Sequence, residues 1–254
     1  MNNASISGVG RVLRRPWYAF WHVIEKLAYQ GREYTLQVPS GHRVYTPWFW
    51  KHADHDFSRL MDLVCRAGPL SVSPDRCYVL YQFCRHCLHL DGDVAECGVY
   101  TGGTGHLLSL TLSARPKPLH LFDTFCGMPN VSVPRRDYHF PGDFSDTSLD
   151  LVKRRLKDFH FVMFHPGIMP ATFDEVRTVR SYSFVHVDVD IYPSVLECCR
   201  WFWPRLSPGG VMVFDDYGFY PYRHAARAAV DEFCVSLWER PIALPTGQAV
   251  LLKV

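Results

Sequence analysis

The stretch from Phe184 to Gly218, FVHVDVDIYPSVLECCRWFWPRLSPGGVMVFDDYG, constrains the fold more than any other part of the chain. Ser183–Val189 is a short apolar run with β-branched residues, the pattern of a strand buried on both faces. Pro193 opens a helix whose apolar residues (Val195, Leu196, Cys199, Phe202, Leu206) recur at helical spacing. Ser207-Pro208-Gly209-Gly210 stops it, and Val211–Phe214 reads as a second buried strand. A strand–helix–strand unit of this kind makes a right-handed crossover between parallel strands, whose shared carboxyl edge binds ligands in open α/β sheets.

Both strands run into acids. Asp188 and Asp190 stand two apart, so an extended backbone points them to one face, while Asp215 and Asp216 sit where Tyr217-Gly218 begins a turn. Any one Asp reads as readily as a cap or a solvated loop residue. Four at two neighbouring strand ends, about 5 Å apart, need a cation. Oxygen ligands without a Cys or His pair favour Mg²⁺ or Mn²⁺ over zinc.

Composition limits the alternatives. A chain of 254 residues holds one sizeable core, and 48% hydrophobic with 20% charged residues is ordinary for a globular protein. A net charge of +2 and no basic run interleaved with aromatics exclude nucleic acid as the expected partner. No stretch reaches the roughly 18 apolar residues of a membrane span, and no signal-peptide core is visible. Nine scattered cysteines fit reduced thiols in the cytoplasm, and Cys84-Arg-His-Cys87 has no second pair at zinc spacing.

Residues 1–70 form a helical and aromatic segment. Within it, residues 8–30 read as a helix packed on the domain or on a second subunit, so a homo-oligomer is expected; a basic helix lying on a membrane surface is the alternative. His52 and His55, one helical turn apart without further partners, read as surface residues, and Asp56–Ala67 as a helix. Ser73 is expected to cap a helix opened by Pro74, with Cys77, Leu80, Tyr81, Cys84 and Leu88 facing the core. Asp93–Cys97 is the first strand. It runs into the glycine-rich turn Gly98–Gly105, where backbone can approach a ligand closely and a helix N-terminus offers unpaired N–H groups. The glycines do not fall as a dinucleotide fingerprint and no phosphate-loop lysine follows, which argues against a phosphate-transferring enzyme.

Leu119–Asp123 is the second strand, its closing acid placed to hold ribose hydroxyls. The aperiodic span Thr124–Asp146 reads as a lid or binding loop. Thr147–Phe159 is expected as a helix and Phe161–Phe164 as a strand. Tyr217, Phe219, Tyr220 and Tyr222 form an aromatic cluster suited to stacking on a sugar or ring face. Arg223–Trp238 closes the pattern as a helix, followed by strands at Arg240–Ala243 and Ala249–Lys253.

From Ser71 onward the chain resembles the macrocin O-methyltransferase family. The resemblance rests on SVSPDRCYVLY, DVAECGVYTGGT, LHLFDTFCGMP, GDFSDTS, HVDVDIY, SPGGVMVFDDYG, ARAAVDEF and PTGQAVLLK, in that order. It implies a class I methyltransferase fold over 71–254: a seven-stranded, mostly parallel α/β sheet with the last strand antiparallel. It also implies a metal-dependent enzyme that uses S-adenosylmethionine (SAM) to methylate a sugar hydroxyl. By position it makes Asp188, Asp215 and Asp216 the Mg²⁺ ligands and Asp190 the general base. Glu96, Gly98, Tyr100, Gly102, Gly103, Asp123, Thr124 and Asp143 fall to the cofactor. The family usually shows a basic residue and then GGS where this chain has Thr101-Gly102-Gly103-Thr104, and residues 1–70 match weakly. A catechol or other phenolic acceptor would suit the same metal geometry, and a non-catalytic binding protein on this fold is the reading from another class.

Overall fold

The structure is a computed structural model that describes residues 54–130 and 136–254, without the side chain of Tyr220. The expected helix over 8–30, the aromatic stretch that follows it and His52 lie outside these residues. Seven strands form one sheet: β1 (Asp93–Cys97), β2 (Leu119–Asp123), β3 (Val162–Pro166), β4 (Tyr182–Val187), β5 (Leu206–Phe214), β6 (Ile242–Ala243) and β7 (Ala249–Leu252). Their order is β3-β2-β1-β4-β5-β7-β6, with β1 to β5 parallel and β7 antiparallel to both neighbours.

Side-chain alternation explains why the sheet is covered on both faces. Phe184, Val211 and Val213 enter one core with Leu80, Leu108, Leu112 and Val152. Their neighbours Val185, Val187, Met212 and Phe214 enter the other with Val195, Phe202, Ala229 and Val230. The first core is closed by α2 (Pro74–His86), α3 (Gly103–Leu112) and α4 (Leu149–Arg155), the second by α5 (Tyr192–Phe202) and α6 (Ala226–Cys234). Helix α1 (His55–Ala67), capped by Asp54 accepting from the Phe57 amide at 3.0 Å, buries Phe57 and Val64 against Cys77, Tyr81 and Leu107. That packing carries the domain back past residue 71.

Several expected boundaries move. Strand β4 ends at Val187, not Val189. Leu206 begins β5 rather than ending α5, because the strand includes Ser207–Gly210 across a register shift beside Tyr182 and Phe184. Ser148 caps α4 by accepting from Leu151 N at 3.2 Å, so that helix starts after Thr147 and ends by Arg155. Helix α6 covers only Ala226–Cys234 of the expected Arg223–Trp238. Ser73 stands at the N-cap of α2, but its hydroxyl donates to Asp75 Oδ1 instead of capping. No helix of the described residues is long and apolar enough to cross a membrane.

Candidate active site

The chain runs outward from β1 through β2 to β3 and then returns to β4 on the other side of β1. The carboxyl ends of β1 and β4 therefore border the crevice where the strand order reverses, the usual ligand site of an open α/β sheet. A cavity of about 260 Å³ opens there, lined at one end by Gly98, Tyr100, Asp123 and Thr124 and at the other by Asp188, Asp190, Asp215 and Asp216.

Asp188 and Asp215 converge because ladder bonds continue past the ends of β4 and β5, and Asp190 joins them through a turn. Asp188 N donates to Cys97 O at 2.8 Å, which locks the exit of β4 onto the exit of β1. Gly98 permits that contact, since a Cβ there would stand 1.8 Å from Asp188 O. Asp190 then takes a left-handed φ of 59°, which Asp tolerates better than most residues, and its carboxylate meets Asp216. One carboxylate oxygen from each of Asp188, Asp215 and Asp216 lies within 4.8 Å of the other two.

Burial, then the charges of Asp215 and Asp216, push Asp188 well above the usual carboxylate range. Burial, then Asp190, does the same to Asp216. Burial, with Asp188 and Asp215 adding to it, raises Asp190 to about 7 despite the Asp216 hydrogen bond. For Asp215 burial acts upward too, but His186, Arg76 and Gln248 outweigh it and hold it below its ordinary value. Carboxyls that resist ionisation until a positive charge arrives, with hard oxygen donors this close, fit a divalent cation.

Three of these supporting residues escaped sequence reasoning. Arg76, on α2, pairs through Nη1 with Asp215 and stands 3.8 Å from Asp216. Gln248 Nε2 donates to Asp215 Oδ1 at 2.7 Å. His186 Nδ1 lies 2.9 Å from Glu96 Oε1, and its Nε2 3.6 Å from Asp215 Oδ1. Burial would lower His186, but the adjacent carboxylates of Asp215 and Glu96 outweigh it and raise it to about 10, which favours the imidazolium form beneath the acids. One signal was present: His186 is a polar residue inside an apolar strand run, where polar groups survive only with partners, whereas Gln248 sits in the turn before β7. Arg76, in an ordinary helix, carried none.

The same network holds Glu96. Its side chain is fully buried, its Oε1 is 2.9 Å from His186 Nδ1, and it does not line the cavity. Gly102 is likewise off the cavity, turning at φ 80° against Val152, whereas Gly103 lines it and abuts Leu70. Asp143 does not line it either: its Oδ2 lies 3.1 Å from His139 Nδ1 and accepts from Phe140 N at 3.1 Å. His139 Nε2 in turn meets the Tyr222 hydroxyl at 2.9 Å. Of the aromatic cluster, Tyr222 lines the cavity, while Tyr217 is buried and bonds Asp231 at 2.7 Å, and Phe219 packs on Gly247.

At the other end Asp123 Oδ2 accepts from Val99 N at 2.6 Å and Tyr100 N at 2.9 Å, and Oδ1 from Phe125 N at 2.7 Å. Thr124 Oγ1 donates to Gly127 O at 2.6 Å, closing the loop over the cavity. The Tyr100 hydroxyl sits 2.8 Å from Asp146. An acid at the end of β2, beside an apolar wall of Met128, Phe144, Ile168 and Met169, fits a nucleoside with vicinal hydroxyls such as that of SAM. Asp123→Ala should weaken SAM binding at least tenfold, read by calorimetry, through loss of both a hydroxyl acceptor and the partner of three turn amides. Undiminished affinity would remove Asp123 from the site.

Comparison with known proteins gives the family and the fold. The sequence model of the Macrocin-O-methyltransferase (TylF) family matches residues 86–237, more than half of the chain. The chain is 27% identical over 168 residues to the 8-demethyl-8-(2,3-dimethoxy-alpha-L-rhamnosyl)-tetracenomycin-C 4'-O-methyltransferase of Streptomyces olivaceus, covering 60% of this chain and 62% of that one. It is 26% identical over 170 residues to the mycinamicin III 3''-O-methyltransferase of Micromonospora griseorubida, covering 59% and 65%. It thus spans about three fifths of the length of these curated relatives. Among solved structures, the O-methyltransferase NovP superposes with a TM-score of 0.65 at 22% identity, covering 74% of this chain and 83% of that one. TomG from Streptomyces achromogenes, an O-methyltransferase solved in complex with SAM, gives 0.54 at 16% identity, covering 81% and 96%, and like NovP speaks to the fold alone. With its class I fold, its acids at the switch point and a family match across both, the chain belongs to the macrocin O-methyltransferase family.

Proposed function

We propose that the protein transfers a methyl group from SAM to a hydroxyl of a sugar or glycoside, with a divalent cation, Mg²⁺ or Mn²⁺, held by Asp188, Asp215 and Asp216. The observation that carries this reading is one cavity with Asp123 and the glycine turn at one end and the three convergent carboxylates at the other. When bound, SAM would supply an electrophilic methyl group and the cation would acidify the acceptor hydroxyl. Asp190, at the cavity wall with its carboxyl raised to about 7, takes the hydroxyl proton. Tyr222 and Asp190 border the acceptor end, and Tyr100, Asp123 and Thr124 would hold the cofactor at the other end of the same cavity. The rhamnosyl group in the name of the Streptomyces olivaceus relative favours a sugar over a phenol.

The remaining parts of the proposal concern the whole chain. Residues 1–70 would serve acceptor choice and a homo-oligomeric contact. Nine unpaired cysteines, among them Cys77, Cys97 and Cys199 deep in the core, fit a cytoplasmic enzyme. The function is tested by incubating the full chain with SAM, Mg²⁺ and a panel of rhamnosides, other deoxyhexosides and catechols, reading a gain of one methyl group by mass spectrometry. Methylation confined to catechols would overturn the sugar assignment, and no transfer to any acceptor with SAM bound would favour a binding protein.

A further inference from the structure

Arg76 occupies an unusual place for a cation-binding site. Its guanidinium lies on the cavity wall, joined through Nη1 to Asp215, 3.8 Å from Asp216, and it senses the charges of Asp215, Asp188 and Asp216 together. Asp215 already has partners on both carboxylate oxygens, Arg76 on Oδ2 and Gln248 on Oδ1. Burying several neighbouring carboxyls without a positive charge would oppose folding, and a guanidinium bridging two of them supplies such a charge at the cavity wall, as His186 does from beneath Asp215. In the same position its Cζ stands 5.2 Å from the centroid of the Phe219 ring, within cation–π range, so the guanidinium touches an aromatic face while it is paired with the acids. A long side chain with carboxylates on one side and an aromatic face on the other can leave the first without becoming uncompensated.

We propose that Arg76 is the resident counter-ion of the acid cluster and that the divalent cation loads by exchange with its guanidinium. The inference rests on the metal reading of Asp188, Asp215 and Asp216 and adds what sets the affinity of that site. Two cations cannot share these oxygens without mutual repulsion, so the affinity for metal is reduced by what Arg76 contributes to the metal-free protein. The site is thereby preformed when empty and releases its ion more readily than three carboxylates alone would.

The test is a Mn²⁺ titration of the full chain, reading unbound Mn²⁺ by electron paramagnetic resonance, for the wild type, Arg76→Gln and Arg76→Lys. Exchange predicts that Arg76→Gln binds Mn²⁺ about tenfold tighter, the scale of one partly screened charge contact. Arg76→Lys, which keeps the charge, should stay within about threefold of wild type. Should Arg76→Gln be unfolded in chelator, saturating Mn²⁺ should restore its melting transition, and failure to restore it would overturn the exchange. Equal or weaker binding by Arg76→Gln would assign Arg76 to orienting Asp215 instead, as would a Lys variant that binds as tightly as the Gln variant. In those cases the metal reading stands; Mn²⁺ binding by none of the three proteins would remove the metal itself.

Discussion

Asp190→Asn should lower the single-turnover methyl-transfer rate by roughly 10²–10⁴-fold, the scale of general-base catalysis, while SAM and metal binding persist. The substitution keeps the size of the side chain, and Asn tolerates the left-handed φ of 59° as Asp does. It does not remove a helix cap: Ile191 stands at the N-cap of α5, and the Asp190 carboxyl is engaged with Asp216 instead. In the wild type the rate should rise with pH through about 7, because the ionised form is the base; a bound cation nearby would shift that rise lower. The effect on stability has the opposite sign. A carboxyl raised by burial contributes its full stability below the ordinary carboxylate pKa and loses it as pH rises through about 7. At pH 8 the Asn variant should therefore unfold at or above the wild-type temperature. A destabilised variant with near-normal chemistry would place the base elsewhere.

Gly98→Ala should cost about 4 kcal/mol of folding stability or more, and the chain should lose the site with it. Gly98 has φ of 86°, and a Cβ there would meet Asp188 O at 1.8 Å and Asp188 C at 2.6 Å. Neither is the tip of a flexible side chain. Relief requires β1 and β4 to part where the Asp188 amide bonds Cys97 O at 2.8 Å, and with them the Asp188 carboxylate leaves its neighbours. Gly142 is the control. It has φ of 90° but nothing within 4 Å of an added Cβ, so Gly142→Ala reports backbone strain alone, about 1 kcal/mol. Urea denaturation of both variants separates clash from strain, and equal losses would refute the role given to Gly98.

Much of this was legible in the sequence because buried parallel strands announce themselves. Asp93–Cys97 and Leu119–Asp123 stand where their apolar runs predict, each ending at the acidic crevice. The acids Asp188, Asp215 and Asp216 converge as their strand ends imply. The route was misread: Asp190 arrives through a left-handed turn beyond the strand, and turn geometry after a buried run leaves little trace in residue type. The glycine turn reads as space for a ligand, and Gly98 and Gly103 do line the cavity, but Gly98, Gly102 and Gly105 are also packed against Asp188, Val152 and Glu96, so they make room for the chain's own atoms as well. Arg76, His186 and Gln248 come from three elements that meet only through the sheet order, which local pattern does not encode.

The central claim is that these carboxylates serve a metal that prepares the acceptor and not the cofactor. It is tested most directly by single-turnover methyl transfer from labelled SAM to a glycoside acceptor, using protein stripped with chelator and then resupplied with Mg²⁺. The account predicts no transfer by the stripped protein, full transfer after Mg²⁺, and SAM affinity by calorimetry little changed between them. Full transfer by the stripped protein would contradict it.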